Sequence, residues 1–255
     1  MREESLNVQG LQVGYKIAGE GPALLILHGW GSSSGKWERI ASEITKQGFR
    51  VYAIDLPGFG ASSPPDAVWG IKEYAFLVLA FMDAIGESKV IIVGHSVGGQ
   101  IALQLALFSP SRVEKLILLA PAAVRRGPGL REHFLKVLSK ILGVLLYVAP
   151  VNVRTNIKRI GYKMLQHPDY IKTYGIMREI FQKVIREDLT AMFPQVAVPT
   201  FLIWGGEDRI TPLKDARLME QTILGSQLSI VPESGHNLHV DVPQELTELI
   251  ISLAK

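Results

Sequence analysis

Cysteine is absent from the 255 residues of this chain. Disulfides, thiol nucleophiles and thiolate metal sites are therefore excluded, and the fold has to be held by its apolar core. Long hydrophobic runs are also missing: the greasiest stretch, 141–151, is broken by Gly143 and Pro150 and is too short to span a bilayer. The first five residues, Met1 to Ser5, include three charged side chains and no apolar signal core. These absences give the expectation of a cytoplasmic protein with no stable membrane insertion. None of the histidines stands in an H-E-x-x-H arrangement or another metal-ligand spacing, and no nucleic-acid-binding motif is found. We expect no metal, no cofactor and no nucleic-acid partner.

What is present centres on Gly94-His95-Ser96-Val97-Gly98. A β-branched run, Val90 to Val93, precedes it, and a strongly helical stretch, Gln100 to Leu107, follows. That is the strand–turn–helix context a G-x-S-x-G nucleophile elbow requires, because small residues at both ends let strand and helix pass closely around a strained serine. Ser96 is the candidate nucleophile.

A serine hydroxyl is a poor nucleophile at neutral pH, so a base and an orienting acid must follow in the order Ser, Asp or Glu, His. The stretch Val198 to Trp204 reads as a buried strand, and Gly205-Gly206-Glu207-Asp208-Arg209 as the turn after it. Asp208 is the candidate acid, with Glu207 as the competitor. A second strand, Gln227 to Val231, runs into Pro232-Glu233-Ser234-Gly235-His236, which makes His236 the candidate base. His239 on the same loop is its rival. His28 suits a loop-ordering role, His95 points off the elbow in the wrong direction, and His133 and His167 fall in a charged helical segment. Asp55, in Asp-Leu-Pro-Gly, reads as a turn residue that ties loops together.

With these three residues in this order, the chain resembles the α/β-hydrolase superfamily over nearly its whole length. Leu27-His28-Gly29-Trp30-Gly31, Asp55-Leu56-Pro57-Gly58-Phe59-Gly60-Ala61-Ser62 and Ser234-Gly235-His236 are similar to the superfamily's oxyanion, following-strand and histidine loops. The resemblance implies a Ser96-Asp208-His236 triad and an oxyanion hole formed by the backbone N–H groups of Trp30 and Val97. One such donor is worth about 3 kcal/mol in acyl transfer. Where relatives that are dehalogenases or epoxide hydrolases carry an aspartate nucleophile, this chain has Ser96. The implied activity is that of a serine carboxylesterase on small to medium acyl esters. The same loops are similar to those of carrier-protein methyl ester esterases of biotin synthesis. C–C bond hydrolases of meta-cleavage products and non-turnover ligand receptors share the fold and triad.

The remaining pattern alternates short β runs with amphipathic helices, which predicts an α/β fold: a mostly parallel central sheet flanked by helices. A composition of 47% hydrophobic residues is ample for one large core. The alternation stops after Pro121 and resumes near 196, so we expect a core domain of 1–121 and 196–255 with a helical cap insertion over 122–195. That insertion holds thirteen Lys and Arg against five Asp and Glu, a net of +8, while the remainder holds fourteen against nineteen, a net of −5. Two readings of this asymmetry stand. It keeps a helical face soluble, or it attracts an anionic partner to the cap, such as a carboxylate-bearing substrate, anionic lipid or an acidic carrier protein.

Overall fold

A computed structural model of the chain describes residues 1–125 and 175–255. Eight strands form one sheet: β1 (Arg2–Val8), β2 (Leu11–Ala18), β3 (Ala23–Leu27), β4 (Arg50–Ile54), β5 (Val90–His95), β6 (Val113–Leu119), β7 (Thr200–Gly205) and β8 (Gln227–Val231). Their spatial order is β1-β2-β4-β3-β5-β6-β7-β8. Only the β1–β2 and β2–β4 pairings are antiparallel; β4, β3, β5, β6, β7 and β8 run parallel. The hairpin at the edge turns on Gln9 and Gly10, both at positive φ, the backbone twist that a tight two-residue hairpin favours. Strand β1 begins three residues earlier than its apolar pattern suggests, because Arg2, Glu3 and Glu4 continue the ladder against Ile17, Lys16 and Tyr15.

Alternating residues of the central strands divide between two cores. Leu25 and Leu27 of β3, Ile92 of β5, and Leu116 and Leu118 of β6 belong to one apolar cluster. Leu24, Ile26, Ile91, Val93, Ile117 and Leu119 belong to the other. The period of two sends successive side chains to opposite faces, and a parallel sheet stable in water needs both faces covered. Helices α2 (Ile71–Ala84), α3 (Val97–Phe108), α4 (Ile176–Val184) and α5 (Leu213–Thr222) contribute buried residues to the first cluster. Helices α1 (Glu38–Thr45) and α7 (Pro243–Ala254) supply Ile40, Ile44, Leu246 and Ile250 to the second. A short helix, α6 (Leu238–Asp241), precedes α7. Among the described residues no helix is long and apolar enough to cross a membrane.

The contacts divide the chain into two compact units, Met1–Val124 with Gly175–Lys255, and Arg125–Tyr174. The expected insertion spanned 122–195, whereas Gly175 onward groups with the sheet. Helix α4 shows why: Met177, Ile180 and Val184 bury one apolar stripe in the first cluster. His133, His167 and most of the expected cap lie outside the described residues.

The topology also selects where chemistry can occur. The chain lays β4 on one side of β3 and then β5 on the other, so the order reverses there. In open α/β sheets, ligands bind beyond the carboxyl ends of the strands at such a reversal.

Candidate active site

Ser96 follows β5 directly and sits at φ +52°, ψ −115°, a left-handed conformation that is strained for a residue with a side chain. Three main-chain hydrogen bonds hold it there: its N–H donates to Leu119 O at 3.0 Å, and its carbonyl accepts from Gln100 N at 3.1 Å and Ala122 N at 3.0 Å. Gly98 is required by close approach, since a Cβ there would collide with the carbonyls of Leu27 and His28. The elbow thus packs against the loop that leaves β3. Ser96 itself is half-buried.

The acid and histidine loops are joined to each other along their backbones. Gly206 N donates to Val231 O at 2.8 Å and Glu207 N to Ser234 O at 2.9 Å. Gly205 and Gly206 permit this, because a Cβ at either would strike the carbonyls of the 232–235 segment. Within the paired loops, Asp208 Oδ2 lies 2.7 Å from His236 Nδ1. A carboxylate oxygen only accepts, so Nδ1 carries an N–H, and in the neutral tautomer this bond selects, Nε2 is the basic nitrogen. Glu207 is exposed and Asp208 is buried, so Asp208 is the carboxylate that meets a histidine.

Asp208 Oδ1 accepts the N–H groups of Ile210 at 2.8 Å and Thr211 at 2.9 Å, the pattern of an Asx turn. Thr211 Oγ1 adds a bond to Oδ2 at 2.8 Å and lies 3.2 Å from His236 Nδ1. Burial alone would raise the basicity of this carboxylate, but the bonds from His236 and Thr211 outweigh it and hold Asp208 below the usual range. Sequence reasoning passed over Thr211, although a hydroxyl residue three positions after the acid was a legible signal. It also passed over Ala120, a third non-glycine residue at positive φ after Gln9 and Ser96, whose carbonyl lies 3.4 Å from Thr211 Oγ1.

The other candidates have distinct places. Among the described residues the N–H groups of Trp30 and Val97 have no hydrogen-bond acceptor. The Trp30 ring meets Phe59 at 4.8 Å and Phe181 at 5.1 Å. His28 is buried and donates from Nδ1 to Gly29 O at 2.8 Å while Nε2 accepts from Leu56 N at 3.0 Å; burial lowers its basicity. His239 is buried against Trp37 as a parallel stack at 4.8 Å, away from the carboxylate. Burial, reinforced by the nearby His236, pushes it down to about 4. His95 donates from Nε2 to the carbonyl of His236 at 2.9 Å. Among the described residues no group of three or more His, Cys, Asp or Glu has the disposition to hold a metal ion. An open groove of about 610 Å³ along α2 and α4 contains none of Ser96, Asp208 and His236.

Residues 22–172 match the family model of the alpha/beta hydrolase fold, more than half of the chain. This protein is an α/β-hydrolase. It is 30% identical to an uncharacterized protein of Mycobacterium tuberculosis, over 95% of this chain and 78% of that protein. It is 29% identical to the pimeloyl-[acyl-carrier protein] methyl ester esterase of Nitrosomonas europaea, over 93% of this hydrolase and 98% of the relative. Among solved structures, that of a membrane phospholipase A described as a bacterial virulence factor superposes with a TM-score of 0.79 at 26% identity, covering 99% of this chain and 85% of that one.

Proposed function

We propose that this hydrolase is a serine carboxylesterase that cleaves small to medium acyl esters through an acyl-enzyme on Ser96. The observation that carries the reading is the 2.7 Å Asp208–His236 pair, which directs Nδ1 at the carboxylate and leaves Nε2 as the other ring nitrogen, on a loop bonded to His95 beside the strained Ser96. Ser96 Oγ attacks the ester carbonyl and its proton passes to Nε2 of His236. Asp208 keeps the proton on Nδ1 and stabilises the imidazolium. The N–H groups of Trp30 and Val97, which have no acceptor among the described residues, take the oxyanion, and the alcohol leaves with the proton from His236. Water then gives its proton to His236 and attacks the acyl-enzyme, restoring Ser96.

A carrier-bound methyl ester is the second reading. Two observations favour it: the likeness to the Nitrosomonas europaea esterase, and the net charge of +8 on residues 122–195, which would attract an acidic carrier protein.

The test is hydrolysis of p-nitrophenyl esters from acetate to palmitate by wild type and Ser96→Ala, with fluorophosphonate labelling in parallel. A chain-length optimum that disappears in the variant, together with labelling of Ser96, supports the esterase. Labelling of Ser96 without p-nitrophenyl ester turnover shifts the choice to carrier-bound esters or C–C substrates. A folded wild type that neither turns over nor labels sinks the serine mechanism.

A further inference from the structure

Three loops meet at one buried side chain that the mechanism above does not use. His95 is 3% exposed. It immediately precedes Ser96, its Nε2 lies 2.9 Å from the main-chain carbonyl of His236, and a Cβ on Gly29 would stand 2.8 Å from its Nδ1 and 3.3 Å from Ser96 Cβ. The elbow, the histidine loop and the loop after β3 therefore close on opposite edges of a single ring. The ring is itself wedged: centroids of His236 and His239 lie 4.9 Å away on the histidine loop, and Trp37 lies at 6.2 Å.

We propose that His95 is a positioning residue of the hydrolytic site, its Nε2–H holding the main chain of His236 in register with Ser96. The inference rests on the serine-hydrolase reading of the preceding subsection.

The chemistry fixes which nitrogen carries the proton. A carbonyl oxygen only accepts, so Nε2 must donate. Burial disfavours a charged ring, and proximity to His236 and His239 works in the same direction; Asp208 and the carbonyl bond oppose them but are outweighed. His95 therefore stays neutral, with a single N–H on Nε2 and the bare edge of the ring turned towards Gly29. A neutral ring has a further advantage at this place. His236 has to become cationic during turnover, and a second cation with its ring centroid 4.9 Å away would oppose that step.

Without the tether, His236 would still be bonded to Asp208, but its main chain would lose its hydrogen bond to the residue beside Ser96 and be held there by ring packing and the acid loop. A misplacement on the scale of an ångström is enough to slow proton transfer while substrate binding elsewhere is untouched.

Two variants separate this role from simple filling of space. His95→Phe keeps an aromatic ring and lacks the donor, whereas His95→Gln offers an amide N–H at nearly the same reach. For folded proteins of equal melting temperature, we expect kcat on a p-nitrophenyl ester to fall about ten- to a hundredfold in the Phe variant with KM within about threefold, and fluorophosphonate labelling to slow in parallel. The Gln variant is expected to recover to within about fivefold of wild type. Wild-type kcat in the folded Phe variant, or equal impairment of Phe and Gln, overturns the inference.

A long-range ¹H–¹⁵N spectrum of the histidine-labelled wild type tests the same point without any variant or turnover. The expected result is a neutral His95 protonated on Nε2 throughout the neutral pH range; an Nδ1–H tautomer or a charged ring overturns the tether and leaves the serine mechanism standing. Absence of Ser96 labelling and of Ser96-dependent hydrolysis in the wild type overturns the serine mechanism instead, and the spectrum still decides the tether.

Discussion

Asp55 and Asp208 hold matching places on the two sides of the central strands, each just beyond the carboxyl end of a parallel strand, β4 and β7 respectively. Both are buried, and both accept two main-chain N–H groups: Asp55 from Ser34 at 2.6 Å and Ala61 at 2.9 Å, Asp208 from Ile210 and Thr211. The difference lies in how the oxygens are used. Asp55 takes one N–H on each oxygen, and Gly60 presses against its carboxyl group, where a Cβ would collide. Asp208 takes both on Oδ1 and keeps Oδ2 for the hydroxyl of Thr211 and the imidazole of His236. Residue type and topological position are alike in the two loops, so they do not separate a loop tie from a carboxylate that meets a histidine. The unspent oxygen does.

Asparagine or alanine at the two positions breaks the comparison apart. Asp208→Asn preserves shape but offers an amide to His236 and invites the wrong tautomer, so kcat is expected to fall about ten-thousandfold with little change in melting temperature. Asp55→Ala leaves the N–H of Ser34 buried without an acceptor, costing about 1–3 kcal/mol, while the N–H of the exposed Ala61 can turn to water, so we expect a stability loss of about that size in denaturant titration with kcat of the folded fraction near wild type. Should Asp55→Ala instead remove catalysis from a protein of undiminished stability, the division of roles between the two aspartates is wrong.

The same contrast recurs within one loop. His236 has a carboxylate partner, and His239, three residues on, has Trp37 and burial. Because the folded state holds His239 down at about 4 against an ordinary value of 6.5, the unfolded chain takes up its proton first as the pH falls. Stability associated with this group is therefore complete above about pH 6.5 and declines through the window down to about pH 4, by roughly 2–3 kcal/mol. His239→Phe, which keeps a ring on Trp37 and binds no proton, is expected to flatten the acid slope by about that amount in chemical denaturation between pH 7 and pH 4. An unchanged slope would show that His239 is not held neutral.

Local sequence patterns announce the parts of this fold that are made locally. The apolar runs of β3, β5 and β6 appear at their observed places, and Gly94, Ser96 and Gly98 mark a turn whose strain depends on only a few residues. The acid and the histidine could be nominated because each follows a strand. Choosing Asp208 over Glu207 takes the backbone pairing of residues 206–207 with residues 231–234, a contact between segments about 25 residues apart. The grouping of 175–195 with the sheet was illegible for a similar reason: the apolar stripe of α4 states that it packs on something, not on what. Thr211 is an intermediate case. The Asx turn was readable, but its hydroxyl acquires meaning only when His236 arrives from the other loop.

Thr211 therefore gives the finest test of the unspent oxygen, and the smallest expected effect. Its hydroxyl has one proton, and the nearest charged acceptor is Asp208 Oδ2 at 2.8 Å, closer than the carbonyl of Ala120 at 3.4 Å. Nδ1–H of His236 then points at Oδ2 and at Thr211 Oγ1 together, so the hydroxyl steadies both the carboxylate and the ring. Thr211→Val keeps the β-branched shape and the main-chain N–H that binds Oδ1, and deletes only the hydroxyl. A hydrogen bond to a charged group is worth about 1.5–3 kcal/mol, part of which His236 itself retains by keeping its own bond to Oδ2, so we expect kcat to drop about tenfold. Thr211→Ser is expected to restore most of it. With a hydroxyl donor lost, Asp208 in the fold moves back towards its unfolded-chain value, so the Val variant is expected to be less stable at neutral pH and to lose less further stability than wild type on acidification. A Val variant that matches wild type in both kcat and acid stability would mean that Oδ2 is held by His236 alone, and that Asp208 differs from Asp55 by one partner rather than two.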